Sequence, residues 1–160
     1  MKIHILAVGR LKDGPERQLV SRYIERAKAT GRQLGFGDVS IRELAESRAK
    51  QSDQRKKEEA DAILALVQEG AILVFLDERG KSLTSDKFAQ QMGAWRDQAA
   101  RDCYFVIGGA DGLEKSLRQQ GQLTLNFSNL TWPHQIVRIM LAEQIYRAMT
   151  ILSGHPYHRN

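Results

Sequence analysis

The chain has 160 residues, 42% of them hydrophobic, and a net charge of +5. That length and apolar content suit one globular domain spanning residues 1–160. No apolar run is long enough to cross a bilayer, Met1–Ile5 carries no cleavable-leader pattern, and a lone Cys103 excludes an internal disulfide framework, so a soluble cytoplasmic protein is expected.

In chain order, Lys2–Val8 reads as a strand and Gly9–Gly14 as a turn. Pro15 opens a helix with Leu19, Val20, Tyr23, Ile24 and Ala27 at helical spacing, stopped by Gly31. Val39–Leu44 is a strand. Ser52 or Asp53 caps a second helix, with Ile63, Leu64, Leu66 and Val67 inward and Gly70 at its end. Arg42, Arg48, Lys50, Arg55, Lys56 and Lys57 crowd the approach to this helix, either as a solvated charged face or as an arm contacting phosphates. Ile72–Leu76 is a strand buried on both faces, ended by the polar turn Asp77–Lys81. From about Ser85 a helix presents Phe88, Met92, Trp95 and Ala99, and Cys103–Ile107 is another buried strand. A short helix and a strand near Leu123–Asn126 lead to Thr131, Trp132 and Pro133, read as a capped helix start. The last helix is apolar on almost every side from Ile136 to Leu152, which predicts one face in the core and one against a partner. Gly154 stops it, leaving two histidines, a tyrosine and an arginine in the final six residues. Strands alternating with helices imply an α/β sandwich around a largely parallel sheet with helices on both faces.

In such a sheet, ligands bind beyond the carboxyl ends of the strands. Three loops lie there: Leu76–Lys81, Gly108–Gly112 and Phe127–Pro133. Gly108 and Gly109 allow close backbone approach to a ligand or a positive φ, or simply make a tight turn. The first turn, Val8-Gly9-Arg10-Leu11, lacks G-x-G-x-x-G, and neither a P-loop nor a G-x-S-x-G elbow occurs. His155 and His158 have no carboxylate or cysteine set at metal-ligand spacing, so no metal is expected. Glu143 and Arg147 stand four apart on the last helix, in the order that favours an ion pair.

Ile107-Gly108-Gly109-Ala110-Asp111-Gly112, then Leu130-Thr131-Trp132-Pro133-His134, then Arg138 with Glu143-Gln144-Ile145-Tyr146-Arg147-Ala148, then His155-Pro156-Tyr157-His158 follow one another in this chain. In that combination, with Ala7-Val8-Gly9 and the Leu76-Asp77 turn, the whole chain resembles the ribosomal RNA large subunit methyltransferase H family of the SPOUT superfamily. The resemblance implies an α/β fold with a trefoil-knotted C-terminal half, an S-adenosylmethionine pocket at the knot, an obligatory homodimer and no membrane association. It implies methylation at N3 of a pseudouridine in 23S ribosomal RNA. Carried over residue by residue, the cofactor contacts fall on Leu76, Gly108, Gly109, Phe127, Ser128, Asn129, Leu130, Thr131 and Trp132. The implied catalytic set is Arg147, His155, Tyr157, His158 and Arg159, with the tail acting beside a partner's cofactor. The N3 proton could pass to a tail histidine, to Glu143 or to solvent, and Arg147 or Arg159 could steady charge on the base's carbonyl oxygens. A different SPOUT enzyme acting on a transfer RNA ribose, and a non-enzymatic ribosome-assembly module, stand as the other readings.

Overall fold

The computed structural model describes residues 1–159. Its elements are β1 (Lys2–Val8), α1 (Pro15–Gly31), β2 (Val39–Leu44), α2 (Ser52–Leu64), β3 (Ile72–Ser82), α3 (Ser85–Asp97), β4 (Asp102–Ile107), α4 (Lys115–Arg118), β5 (Leu123–Asn126) and α5 (His134–Leu152), with a 3-10 turn at Arg32–Leu34. The strands form one sheet ordered β2-β1-β4-β3-β5, and every pairing is parallel. All carboxyl ends therefore point to one edge.

The alternation of each strand sorts side chains between two cores. Ile3, Ile5, Ala7, Val74, Cys103, Phe105 and Ile107 face a core completed by α1, α3 and α5. Leu6, Val8, Leu73, Phe75, Tyr104 and Val106 face a second core under α2 and α4. Helices on both faces explain why these strands read as continuous apolar runs. α5 packs against both α1 and α3 while covering the sheet. α5 thus buries one side among α1, α3 and the sheet, while Ile136, Val137, Ile139 and Met140 stay half-buried.

Four local expectations change. Asp77–Lys81 does not end its strand, because β3 runs on to Ser82 and Leu125 is the register partner of both Leu76 and Lys81. Gly80 permits this return, since a Cβ there would lie 2.7 Å from backbone atoms of Thr124 and Leu125. α2 stops at Leu64, before Gly70, and starts after Gln51 with no side-chain cap, so Ser52 and Asp53 are helical instead. Ala99 is outside α3 in a left-handed turn, φ 61°. Thr131 is exposed and caps nothing; Pro133 holds the cap position of α5, and its carbonyl accepts the Ile136 and Val137 N–H groups.

Arg138 bolts α5 to the sheet. Its side chain is fully buried, with Nη1 donating to Glu43 Oε1 at 2.9 Å and Nη2 to the carbonyls of Val8 and Gly9 at 2.8 and 3.0 Å. Burial lowers its pKa, and Glu43 and Glu46 oppose that shift. Replacing Arg138 with leucine is expected to cost about 3 kcal/mol or more of unfolding free energy, because a carboxylate and two carbonyls lose their partner. Urea titration measures this, and an unchanged midpoint would show that the bolt is dispensable.

Candidate active site

A cleft of about 520 Å³ opens beyond the carboxyl ends of β3, β4 and β5. Three connections build it: the bulge in β3, the Gly108–Gly112 loop after β4, and the segment from β5 to α5. Of the expected cofactor contacts, Leu76, Gly108, Gly109, Phe127, Ser128, Leu130, Thr131 and Trp132 line it, whereas Asn129 sits exposed in the same loop without lining the cleft.

The glycine loop works differently from the sequence expectation. Positive φ falls at Gly112, at 79°, and not at Gly108 or Gly109. A Cβ on Gly108 would meet Leu113 Cγ at 3.0 Å and the Gly112 backbone at 3.1 Å. One on Gly109 would meet Val8 Cγ1 at 3.1 Å and Glu59 Oε2 at 3.2 Å. These glycines are needed for packing on the chain itself. Outside, Arg55 braces the loop through Nε and Nη2 to Asp111 at 2.6 and 3.0 Å, and also donates to the carbonyls of Ala49 and Lys50.

The β5–α5 loop folds around one hydroxyl. Ser128 Oγ accepts from Leu130 N–H at 3.0 Å and from Trp132 Nε1 at 2.8 Å. Leu130 and Trp132 remain 68% and 40% exposed, the large hydrophobic side chains most open to solvent among the described residues. At the β3 wall, Asp77 Oδ1 accepts from Arg79 N–H at 2.9 Å, while Oδ2 faces Arg118 Nη1 at 3.5 Å. Asp77 was within reach of sequence reasoning as part of a candidate loop. Nothing in the local pattern marks Arg118, which enters the cleft only because α4 ends there.

None of the five expected catalytic residues lines this cleft. Arg147, Tyr157 and His158 gather around Glu143 on the outer side of α5. Glu143 Oε1 accepts from Arg147 Nε and Nη2 at 3.0 and 2.6 Å and from the Tyr157 hydroxyl at 3.0 Å. Tyr157 packs on Tyr146, with ring centroids 4.7 Å apart, and beneath the Arg147 guanidinium at 4.9 Å. Arg147 Nη1 stands 3.3 Å from His158 Nδ1. Arginine can only donate, so that nitrogen is the acceptor and Nε2 carries the proton. Burial raises the Tyr157 pKa, and contacts to Tyr23 and Glu143 add to it, so the phenol stays a donor. His155 and Arg159 are exposed. A second cavity of about 370 Å³ includes Glu143 in its wall and shares Leu125, Asn126 and Phe127 with the cleft.

The chain belongs to the SPOUT methyltransferase family, whose model, described as "Predicted SPOUT methyltransferase", matches residues 1–158. A ribosomal RNA large subunit methyltransferase H from Rhodopseudomonas palustris (strain TIE-1) is 58% identical over 159 residues, covering 99% of both chains. A protein of the same name from Nitrobacter hamburgensis is 55% identical over the same length and coverage. Among solved structures, the SpoU methyltransferase AviRb from Streptomyces viridochromogenes in complex with the cofactor AdoMet aligns with a TM-score of 0.40 and 11% identity, over 96% of this chain and 61% of that one.

Beneath the glycine loop, Glu59 accepts the Ser47 N–H at 3.0 Å. Burial raises its pKa above the ordinary 4.5, with Asp111 and Glu46 adding and Ser47 and Arg55 opposing. The folded chain therefore holds this proton more tightly than the unfolded chain. The associated stability is fully present below the ordinary value and is lost as pH rises through the folded value. Glu59→Gln, which keeps an acceptor for Ser47, should remove that fall between about pH 4 and pH 7. Urea midpoints at the two pH values test this; parallel losses in both proteins would assign the pH dependence elsewhere.

Proposed function

We propose that this protein transfers a methyl group from S-adenosylmethionine to N3 of a pseudouridine in 23S ribosomal RNA, and that it does so in the cytoplasm as a homodimer. The observation that carries the reading is likeness along the chain: 58% identity over 159 residues, 99% of both chains, to a ribosomal RNA large subunit methyltransferase H. The trefoil knot implied by the resemblance belongs to the same reading.

The cleft suits the cofactor. Its volume falls within the ordinary range for small-ligand sites. Leu76, Ile107, Leu125, Phe127 and Trp132 offer apolar wall to a purine, and Asp77, Lys115 and Arg118 offer charged partners to the polar end. Bound there, the cofactor supplies a methyl group already activated by its sulfonium. The chain's own work is to align the attacking nitrogen and to provide for its proton.

The distribution of residues supports the dimer. None of the tail side chains lines the cleft of its own chain, an arrangement that suits a tail serving the cleft of a second copy. The protonated Tyr157 is then suited to hydrogen bonding and stacking on a displaced base, and Arg147 or Arg159 to steadying its carbonyl charge. His158 Nδ1 is engaged by Arg147 where the tail packs on α5.

A chain ending at Gly154 is expected to fold, dimerise and bind S-adenosylmethionine but to transfer no methyl to ribosomes. Gly154, with φ 68°, closes α5, and its own N–H bonds back to Ile151 O at 3.1 Å. Labelled-methyl transfer, sedimentation and calorimetric titration of the same preparations decide it; near-normal transfer would refute the catalytic tail. Mass spectrometry of 23S RNA from cells lacking the protein tests the substrate, with one methyl missing from a pseudouridine as the expected result.

The basic approach to α2 is the RNA-facing candidate, in a form corrected by the structure. Arg55 is committed to Asp111, and Lys56 pairs with Asp53 at 2.8 Å. Arg48, Lys50 and Lys57 remain exposed. Replacing Lys50 and Lys57 with glutamine should weaken binding to ribosomal RNA and reduce the log–log salt slope by roughly 0.7–0.9 per lost phosphate contact. An unchanged slope would return these charges to a merely solvated face.

A further inference from the structure

The tail is not free. It is held on α5 by a hydrogen-bond network that reaches α3, and one carboxylate is its hub. Glu143 Oε1 receives three donor atoms, two from Arg147 and one from Tyr157. Glu143 Oε2 receives Gln144 Nε2 at 2.7 Å, and Gln144 Oε1 in turn accepts the Ser85 hydroxyl at 2.8 Å. Ser85 begins α3, and the adjacent Asp86 stands 3.6 Å from His158 Nε2. A chain of hydrogen bonds thus runs from α3 through Gln144, Glu143 and Arg147 to His158, whose Nε2 faces α3 again without bonding to it.

We propose that Glu143 is a positioning residue for methyl transfer, setting where Tyr157 and Arg147 stand rather than touching the reacting atoms itself. This rests on the reading of the tail as catalytic.

Three features support the assignment. First, the Tyr157 and Arg147 contacts meet on the same oxygen, so a single atom fixes a stacking aromatic and a cation together. Their mutual geometry, with the guanidinium 4.9 Å from the ring centroid, follows from sharing that acceptor. Secondly, the carboxylate's hydrogen bond is the largest influence holding the Arg147 pKa up, so Arg147 stays a full cation beside the ring. Thirdly, Tyr157 is the one residue of the last stretch that packs into the core cluster containing Tyr146. Without Glu143, the phenol would be left half-buried with no carboxylate acceptor, and the rest of the tail would be held by little else. His155 and Arg159 are exposed, and beyond the His155 N–H bond to Thr150 O at the end of α5 their side chains make no hydrogen bond to the body of the chain among the described residues.

Glutamine at 143 has nearly the same shape and keeps one acceptor, but it loses the charge that joins Arg147 and Tyr157. The test is a double-mutant cycle on the full-length dimer with Glu143→Gln, Tyr157→Phe and both together. Labelled-methyl transfer to ribosomes gives kcat and KM, and calorimetry gives S-adenosylmethionine affinity. Glu143→Gln should lower kcat roughly 10- to 100-fold, the range for losing one charge-assisted hydrogen bond, with cofactor affinity unchanged. The double variant should be no slower than the slower single one, because both changes break the same contact.

Hydrogen exchange supplies a readout independent of turnover: amides of residues 155–159 should exchange faster in either single variant, while the sheet keeps its protection. Multiplicative losses in the cycle, an undiminished kcat, or tail protection unaltered by Glu143→Gln would each overturn the proposal. Should Glu143→Gln not fold, Tyr157→Phe carries the same test from the tail side, since it removes the contact without altering α5; unchanged tail exchange there also overturns it. A Gly154-terminated chain that transfers methyl normally would instead defeat the underlying reading. An inactive truncation beside a fully active Glu143→Gln would defeat this inference alone.

Discussion

A buried guanidinium holds the molecule in register. The amide carbonyls at the end of a parallel strand have no further partner once the strand stops, and β1 ends beneath a helix where water cannot serve them. Arg138 satisfies both Val8 and Gly9 and pairs with Glu43 from the neighbouring strand, so one side chain ties α5 to β1 and β2 together. Everything functional hangs on that attachment. The loop from Phe127 to Trp132 approaches α5 from the cleft, and the tail leaves α5 on its outer side. Fixing the axis of the helix fixes both.

The same helix therefore serves two sites with opposite physical character. On the cleft side the walls are backbone-rich and braced by short-range contacts: Ser128 gathers its own loop, and Arg55 pins Asp111 from α2. On the tail side the order depends largely on side chains, since among the described residues no helix or strand follows Leu152. Backbone-braced sites are costly to deform, whereas a strap held by one carboxylate and one stacked ring opens at small cost. A rigid cleft for a small molecule and a releasable strap for a large substrate suit a transferase whose two substrates differ greatly in size.

How far the fold could be read from sequence depended on how local the deciding interaction was. β1, α1 and β2 matched their expected spans to the residue because Gly14–Pro15 and Gly31 punctuate them and their apolar spacing is regular. The failures came where a distant backbone decided. Asp77–Lys81 looks like a terminating turn, yet it returns to the sheet because Gly80 fits against β5, more than forty positions away by the Thr124 contact. Arg138 stood out as a charge in an apolar helix, but its partner Glu43 lies 95 positions earlier, beyond any periodic signal. At the cleft, the glycine and aromatic loops were legible because ligand loops follow strand ends in parallel sheets. Arg118 was not, since only the placement of α4 brings it there.

The charge balance was the least legible property of all. A run of cations before α2 reads as an electrostatic arm, but sequence does not distinguish a cation spent on structure from one left for a partner. Arg55 is spent: its planar fork takes both carboxylate oxygens of Asp111 and two carbonyls besides, a geometry that a lysine could not reproduce. Lys56 answers Asp53 across one turn of its own helix. The positive field that remains is spread over single exposed side chains, each worth little alone. A surface of that kind attracts polyanions only by summed, salt-sensitive contributions and carries no shaped recognition of its own.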